Sequence, residues 1–95
     1  MSKFEVKYLK ERKYFNDISS IKFITGEQWF AVGDDIGGVH VYTYTSFGAE
    51  NDKVKEFKAH DGDGSKVAYL AVYLKHTLLL TASFYDKSIK LWDWS

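Results

Sequence analysis

Apolar and polar residues alternate along most of this chain of 95 residues. The alternation is clearest at residues 39–44, VHVYTY, and at residues 89–94, IKLWDW. It predicts strands with one buried face, because successive side chains of a strand point to opposite sides of the sheet. Two runs, at residues 29–32 and 78–82, are almost continuously apolar and predict strands buried on both faces. No stretch keeps a helical period, so the pattern predicts an all-β fold.

The predicted strands fall into two sets, which are separated by turn-forming residues. The first set has four strands, at residues 18–24, 28–33, 38–44 and 53–58. The second set has three strands, at residues 66–73, 77–83 and 88–94. We expect a single unit made of an outer strand at residues 3–9, a complete first sheet within residues 18–58, and a second sheet within residues 66–94 that lacks its outer strand.

The two sets are copies of one pattern. When Tyr42 is placed over Trp92, WFAVGDDIGGVHVYTY lies over LLLTASFYDKSIKLWDW with one gap, and ISSIKF lies over VAYLAV. The second copy begins about 50 residues after the first, slightly more than the repeat length of a four-stranded propeller blade. A repeat of this kind has a face that only a neighbouring repeat can bury, so two copies are expected to leave such a face uncovered.

The second copy resembles a WD repeat of the β-propeller family. The resemblance lies in a small residue followed by histidine, Ala59-His60, in a strand that ends in TAS, and in the closing sequence SIKLWDW. It implies a hydrogen-bonded chain between strands of one blade, formed by His60, Thr81, Asp86 and Trp92. Such a chain is physically reasonable, because a buried indole N–H requires an acceptor and a neutral imidazole can bridge a donor and a carboxylate.

Residues 17–94 are most similar to consecutive blades of the N-terminal propeller of the coatomer beta-prime subunit. This resemblance implies a non-enzymatic scaffold for protein–protein interaction in vesicle-mediated transport, located in the cytoplasm or peripherally on transport membranes. In that subunit the loop face of the propeller binds dilysine tails of membrane cargo. Asp86 matches an acidic position of that pattern, and Asp61 or Asp63 matches another, whereas the basic positions of the pattern are not kept.

Four further residues are considered from their positions. Tyr85 is a candidate for partner contact, because it is an aromatic residue on a predicted turn beside Asp86. Trp29 and Tyr69 are expected in the core. In the first copy the turn GDDIGG is shifted relative to the turn of the second copy that contains Asp86. It therefore stays open whether Asp35 has the same role in the first copy as Asp86 has in the second.

The order of the predicted strands is that of an incomplete propeller. If the strands of a blade are lettered from innermost a to outermost d, the chain reads d-abcd-abc. An unpaired sheet edge invites another strand. We therefore expect a homo-oligomer in which copies associate head to tail and residues 3–9 of one copy complete the last blade of the next. The alternative is a structural accessory subunit of a large complex, completed by other chains and without a ligand site of its own.

Composition argues against several other functions. Lys and Arg together number 13, as do Asp and Glu, so counterion-driven binding to nucleic acid or to an anionic membrane is not expected. The chain has no cysteine, which excludes disulfides and thiolate metal sites and is typical of a reducing compartment. His40, His60 and His76 lack the spacing of metal ligands.

The sequence shows no sign of catalysis. No nucleophile or carboxylate pair has catalytic spacing, so neither an enzymatic activity nor a cofactor is expected. No apolar run approaches the roughly 20 residues of a membrane-spanning helix.

Overall fold

The computed structural model describes residues 5–11, 13, 16–61, 65–73 and 78–93 of the chain. These residues contain antiparallel strands and no helix, which confirms the predicted all-β class. The seven strands are β1 (Ile18–Ile24), β2 (Trp29–Asp34), β3 (Gly38–Thr43), β4 (Lys53–Lys58), β5 (Tyr69–Tyr73), β6 (Leu78–Ser83) and β7 (Ser88–Asp93).

The strands form two sheets, each with its strands in chain order. The first sheet has the order β1-β2-β3-β4 and the second has the order β5-β6-β7. Among the described strands, β5 alone starts more than one residue from its predicted bound, at Tyr69 instead of residue 66. The reason is that Val67 bonds to the first sheet. Its N–H donates to the Asp34 carbonyl oxygen at 3.0 Å, and its own carbonyl accepts from the hydroxyls of Ser19 and Ser20.

The chain passes from the first sheet to the second over the β2–β3 turn. The carbonyl oxygen of Gly37 accepts hydrogen bonds from the backbone N–H groups of Ala59 at 2.8 Å and His60 at 3.1 Å. Gly37 has a φ of +89°, and a Cβ at this position would lie 1.8 Å from the carbonyl oxygen of His60. Both the left-handed backbone and the close approach therefore require glycine here.

The core lies between the two sheets. Ala31, Val39 and Val41 are buried on one face of the first sheet, and Leu70 and Leu79 are buried on the face of the second sheet that packs against it. At the outer end of this contact the rings of Phe57 and Trp92 pack with their centroids 4.8 Å apart. The alternation seen in the sequence thus selects which face of each sheet enters the core.

The opposite face of the second sheet is open in the described structure. Tyr69, Leu80, Ile89 and Leu91 are exposed there, and we call these four residues the second-sheet outer face. The expectation that the run at residues 78–82 is buried on both faces is therefore wrong, as is the expectation that Tyr69 lies in the core. The physical reason is that the described residues form only two layers, so each sheet finds a partner for one face.

The opposite face of the first sheet is covered in part by a loop of the same sheet. Phe47, in the connection between β3 and β4, packs against Phe30 and Tyr42 with ring centroids 5.1 and 5.5 Å apart. Three apolar side chains of β1, on the same face, remain exposed. We call these residues, Ile18, Ile21 and Phe23, the first-sheet outer face.

The edge of the second sheet is formed by β7. In the part of the chain that the structure describes, no strand pairs with β7 on the side away from β6. Residues 5–11 form no strand, and Val6 and Tyr8 are exposed. Residues 3 and 4 of the predicted outer strand lie outside the described residues, so its pairing with another copy stays a prediction. None of the described residues belongs to a helix that could cross a membrane.

Candidate protein-interaction site

The structure brings His60, Thr81, Asp86 and Trp92 together in one connected set. His60 lies just after β4, Thr81 lies in the middle strand of the second sheet, and Trp92 lies in β7. The imidazole Nε2 of His60 is 3.0 Å from Thr81 Oγ1, and its Nδ1 is 2.9 Å from Asp86 Oδ2. Trp92 Nε1 donates to Thr81 Oγ1 at 3.0 Å.

The chemistry of these groups fixes the direction of each hydrogen bond. A carboxylate only accepts, so His60 Nδ1–H donates to Asp86. In the neutral imidazole Nε2 then accepts, and the Thr81 hydroxyl donates to it while accepting from the indole of Trp92. Each polar side-chain atom of this hydrogen-bonded chain has a partner. Because His60 and Thr81 are both fully buried, these hydrogen bonds avoid the cost of burying an unpaired polar group.

Asp86 also organises the turn between β6 and β7. Its Oδ1 accepts from the Ser88 hydroxyl at 2.7 Å and from the Ser88 backbone N–H at 3.1 Å. The hydrogen bond from the Ser88 hydroxyl, with a further contribution from His60, holds the pKa of Asp86 below its usual value. Asp86 is therefore held in place by the fold, although a quarter of its side chain is exposed.

A second polar network, which the sequence reasoning missed, lies on the first sheet. His40 sits between two carboxylates, with Nε2 2.9 Å from Asp34 Oδ2 and Nδ1 2.9 Å from Glu56 Oε1. Lys53 also contacts Glu56. The hydrogen bond from Lys53, followed by that from His40, lowers the pKa of Glu56. This network links β2, β3 and β4.

The turn of the first copy is organised by Asp34. Its Oδ1 accepts from the backbone N–H of Ile36 at 3.1 Å and of Gly38 at 2.7 Å. Asp35 does not share this role, since its Oδ1 is buried without a hydrogen-bond partner among the described residues. A partial signal was present in the sequence, because Asp34 lies two residues after Val32 and so shares its face of β2. The pairing of Val32 with His40 is known only from the structure.

The candidate binding residues differ in their accessibility. Tyr85 lies on the β6–β7 turn and its side chain is exposed, 69% of its surface being open to solvent. Asp61 is also exposed, whereas Asp63 lies outside the described residues. The carboxylate of Asp86 is engaged by His60 and Ser88. The turn therefore offers Tyr85 as its accessible aromatic group and Asp86 as a fixed negative charge beside it.

A shallow apolar depression adjoins this turn. It has a volume of about 420 Å³ and is lined in part by Tyr69, Phe84, Ile89 and Lys87. The rings of Tyr69 and Phe84 meet edge to face at a centroid distance of 5.7 Å. The depression connects the turn to the second-sheet outer face, so aromatic and aliphatic surface is continuous from the loops to the sheet.

The part of the chain that the structure describes also bears on metal binding. No group of three or more His, Asp or Glu side chains in this part of the chain is arranged to hold a metal ion. His76 lies outside the described residues. Comparison of the chain with protein-family models, with curated proteins and with solved structures finds no significant match in any of the three.

Proposed function

We propose that this chain is a non-enzymatic protein-interaction scaffold of WD-repeat type, and that its copies complete one another by strand exchange. The open edge of β7 carries the proposal. An edge strand presents a row of backbone N–H and C=O groups that can pair with another strand. The same chain has an exposed alternating segment, residues 5–9, that forms no strand. A free edge and a free strand in one molecule favour pairing between copies.

The position of this segment supports pairing with a second copy over pairing within one chain. Lys10 packs against the β3–β4 loop, where a Cβ at Gly48 would lie 3.4 Å from the Lys10 Cβ. Leu9 lies beside Phe23 of the first sheet. The end of the segment, at Leu9 and Lys10, therefore lies near the first sheet, whereas the open edge belongs to the second.

The alternation of the segment selects its register on β7. Ile89 and Leu91 point to the outer face, so an added antiparallel strand that places Val6 beside Leu91 also places Tyr8 beside Ile89. The apolar side chains then extend the second-sheet outer face. The existing strand β4, which pairs antiparallel with β3, shows how a fourth strand completes a sheet of this repeat.

The charged side chains of the segment lie on the other face in this register. A cleft of about 380 Å³ opens between β4 and β7, with apolar walls that include Phe57 and Trp92. Lys55, Glu56 and Asp93 also line this cleft. Glu5 of the added strand would lie on the cleft side beside Trp92 and diagonally from Lys90, and Lys7 would lie beside Lys90.

The ligand surface of the scaffold is the loop end at the β6–β7 turn. Tyr85 and Asp61 are exposed there or nearby, and the fixed carboxylate of Asp86 adds negative charge. An exposed aromatic beside acidic groups favours a peptide segment that carries lysine. The likeness to coatomer blades adds vesicle transport in the cytoplasm, or on the surface of transport membranes, as the proposed setting.

The assembly can be tested by the mass of the purified protein in solution. We expect light scattering to show a defined homo-oligomer for the unchanged chain. Val6→Pro removes a backbone N–H from the middle of the exchanged strand and should reduce the mass to that of a monomer. Lys13→Pro, outside the predicted strand, is the matched control and should leave the oligomer intact. A folded monomer of the unchanged chain would overturn the proposal.

A second candidate is a structural accessory subunit built into a larger complex. The extent of the two outer faces favours it, because other chains could cover them equally well. The isolated chain would then aggregate without a defined stoichiometry, and Val6→Pro would not change this behaviour. The light-scattering experiment therefore separates the two candidates.

A further inference from the structure

The contact between the two sheets of one chain provides a template for the contact between copies. Within the chain, the face of the first sheet that carries Ala31 and Val41 packs on the face of the second sheet that carries Leu70 and Leu79. These are unlike faces of two similar sheets. Each chain therefore retains one face of each kind, the second-sheet outer face and the first-sheet outer face.

The strand registers show which positions of the two sheets correspond. Val41 pairs with Ala31 in the first sheet, as Leu91 pairs with Leu80 in the second. By the same correspondence Ile89 holds the position of Val39. Val39 is 0% exposed and Val41 is 4% exposed, whereas Ile89 and Leu91 are 73% and 64% exposed. The second sheet thus keeps apolar residues where the first sheet buries them.

The first sheet shows the reverse relation. Ile21 pairs with Val32 as Leu70 pairs with Thr81, and Phe23 pairs with Phe30 as Val72 pairs with Leu79. Leu70 is buried and Val72 half-buried in the contact between the sheets, whereas Ile21 and Phe23 are exposed. Each outer face therefore has apolar residues at the positions that the template buries.

We infer that the second-sheet outer face of one copy packs on the first-sheet outer face of the next copy, in the arrangement of the two sheets within a chain. This inference rests on the proposed self-assembly and adds to it the second surface and its pairing. The contact joins unlike faces, so it is head to tail and can add copies in one direction.

The loop of the first sheet limits how far this contact extends. Phe47 already covers Phe30 and Tyr42, which correspond to Leu79 and Trp92 of the second sheet. The contact between copies is therefore concentrated near β1. Within the chain, β1 and β5 are likewise in contact across the two sheets.

One pair of positions can be used to test the packing of the two outer faces, because their Cβ atoms come close only in this arrangement. Within the chain, a Cβ at Gly33 would lie 2.7 Å from the Cβ of Val67. The corresponding positions are Ala82 and Ile18. The side chains of the outer faces are larger than those of the template, so the copies lie somewhat further apart. The Cβ atoms of Ala82 and Ile18 of the next copy then approach the separation of about 3.5–4.5 Å that a disulfide requires.

The chain has no cysteine, so any disulfide that forms must join the introduced cysteines. Ile18→Cys and Ala82→Cys are made as separate single variants, and circular dichroism checks that both keep the strand signal of the unchanged protein. We expect an equal mixture of the two variants to form a covalent dimer under mild oxidation, with little dimer in either variant alone. The control mixture is Ala82→Cys with Glu27→Cys, which lies in the β1–β2 turn, and it should stay unlinked.

Each other outcome has a definite meaning. Efficient dimer formation by Ala82→Cys alone would show a symmetric contact between like faces and would overturn the inference. Absence of linkage in a mixture that light scattering shows to be oligomeric would overturn the face pairing while leaving strand exchange intact. Folded monomers throughout would overturn both this inference and the proposed function.

Discussion

The imidazole Nε2 of His60 lies 3.0 Å from the hydroxyl oxygen of Thr81, and both side chains are fully buried. His60 belongs to the segment that leaves the first sheet, and Thr81 to the middle strand of the second. This contact therefore joins the two repeats, and the indole of Trp92 depends on the same hydroxyl. The polar chain fixes the orientation of the connecting segment in a region where apolar packing alone has little directional preference.

Replacing Thr81 by valine tests the energetic importance of this hydroxyl. Thr81→Val keeps the shape of the side chain but removes the hydrogen-bond partner of the buried His60 Nε2 and of the half-buried Trp92 Nε1. We expect the free energy of unfolding to fall by about 2–4 kcal/mol, because each orphaned buried group costs about 1–3 kcal/mol. Urea denaturation at fixed protein concentration measures this change, since assembly makes stability depend on concentration.

The matched control for that variant is Thr43→Val. The Thr43 hydroxyl bonds to Thr45 in an exposed position, so the same substitution should change the free energy of unfolding by less than about 0.5 kcal/mol. Equal effects of the two substitutions would show that the buried hydrogen-bonded chain does not stabilise the fold.

Replacing Gly37 by alanine tests the close approach of the repeats. Gly37 and Gly26 have nearly the same φ, +89° and +90°, but a Cβ at Gly26 has no atom within 4 Å. Gly26→Ala should cost about 1–2 kcal/mol for the left-handed backbone alone. Gly37→Ala adds a clash with the backbone of His60 and should cost at least about 2 kcal/mol more. Thermal or urea unfolding compares the two variants, and similar losses in both would contradict the observed contact.

The alternation of the sequence predicted the all-β class and the strands well because it is a local property. Most strand bounds agree with the structure to within one residue, since each strand carries its own pattern and is bounded by turn residues. β5 is the exception, because Val67 bonds to Asp34 of the first sheet, a contact that no local pattern contains. The exposure of Leu80 and Tyr69 was missed for a related reason, as a sequence does not show how many layers will cover a strand.

Only part of the candidate site could be predicted from the sequence. The structure brings together His60, Thr81, Asp86 and Trp92, which the family resemblance had singled out. The network of Asp34, His40 and Glu56 has no counterpart in that resemblance, and it depends on cross-strand register. Register follows from pairing between strands, which the pattern of a single strand does not show.

The depressed pKa values of Asp86 and Glu56 predict a loss of stability in acid. Both pKa values lie lower in the folded chain than in the unfolded one, so the unfolded chain binds more protons in acid. The contribution of these groups is fully present above their unfolded pKa values, about 4. It decreases as the pH falls through the folded values. The free energy of unfolding should therefore decrease as the pH is lowered from about 4.5.

The hydroxyl of Ser88 allows this acid dependence to be assigned. It is the largest cause of the lowered pKa of Asp86, so Ser88→Ala should reduce the steepness of the loss between about pH 4 and pH 2. Ser46→Ala, at an exposed loop position, is the control and should leave the profile unchanged. The comparison uses urea midpoints across the pH range, and identical profiles for both variants would remove Asp86 from the explanation.

Binding at the β6–β7 turn can be separated from the role of that turn in folding. Asp86→Ala disturbs both, because Asp86 bonds to His60 and Ser88, whereas the Tyr85 side chain is exposed. In the proposed scaffold, Tyr85→Ser should weaken binding of a fluorescent peptide with two lysines near its C-terminus by about tenfold, as expected for an aromatic contact residue. Its circular dichroism should not change. Tyr44→Ser, at an exposed position just after β3, should retain affinity. A peptide with serines in place of the lysines should bind neither the unchanged protein nor Tyr44→Ser. Unchanged affinity in folded Tyr85→Ser would exclude this turn as the peptide site and leave the self-assembly of the chain as a separate question, because that assembly depends on β7 and the outer faces.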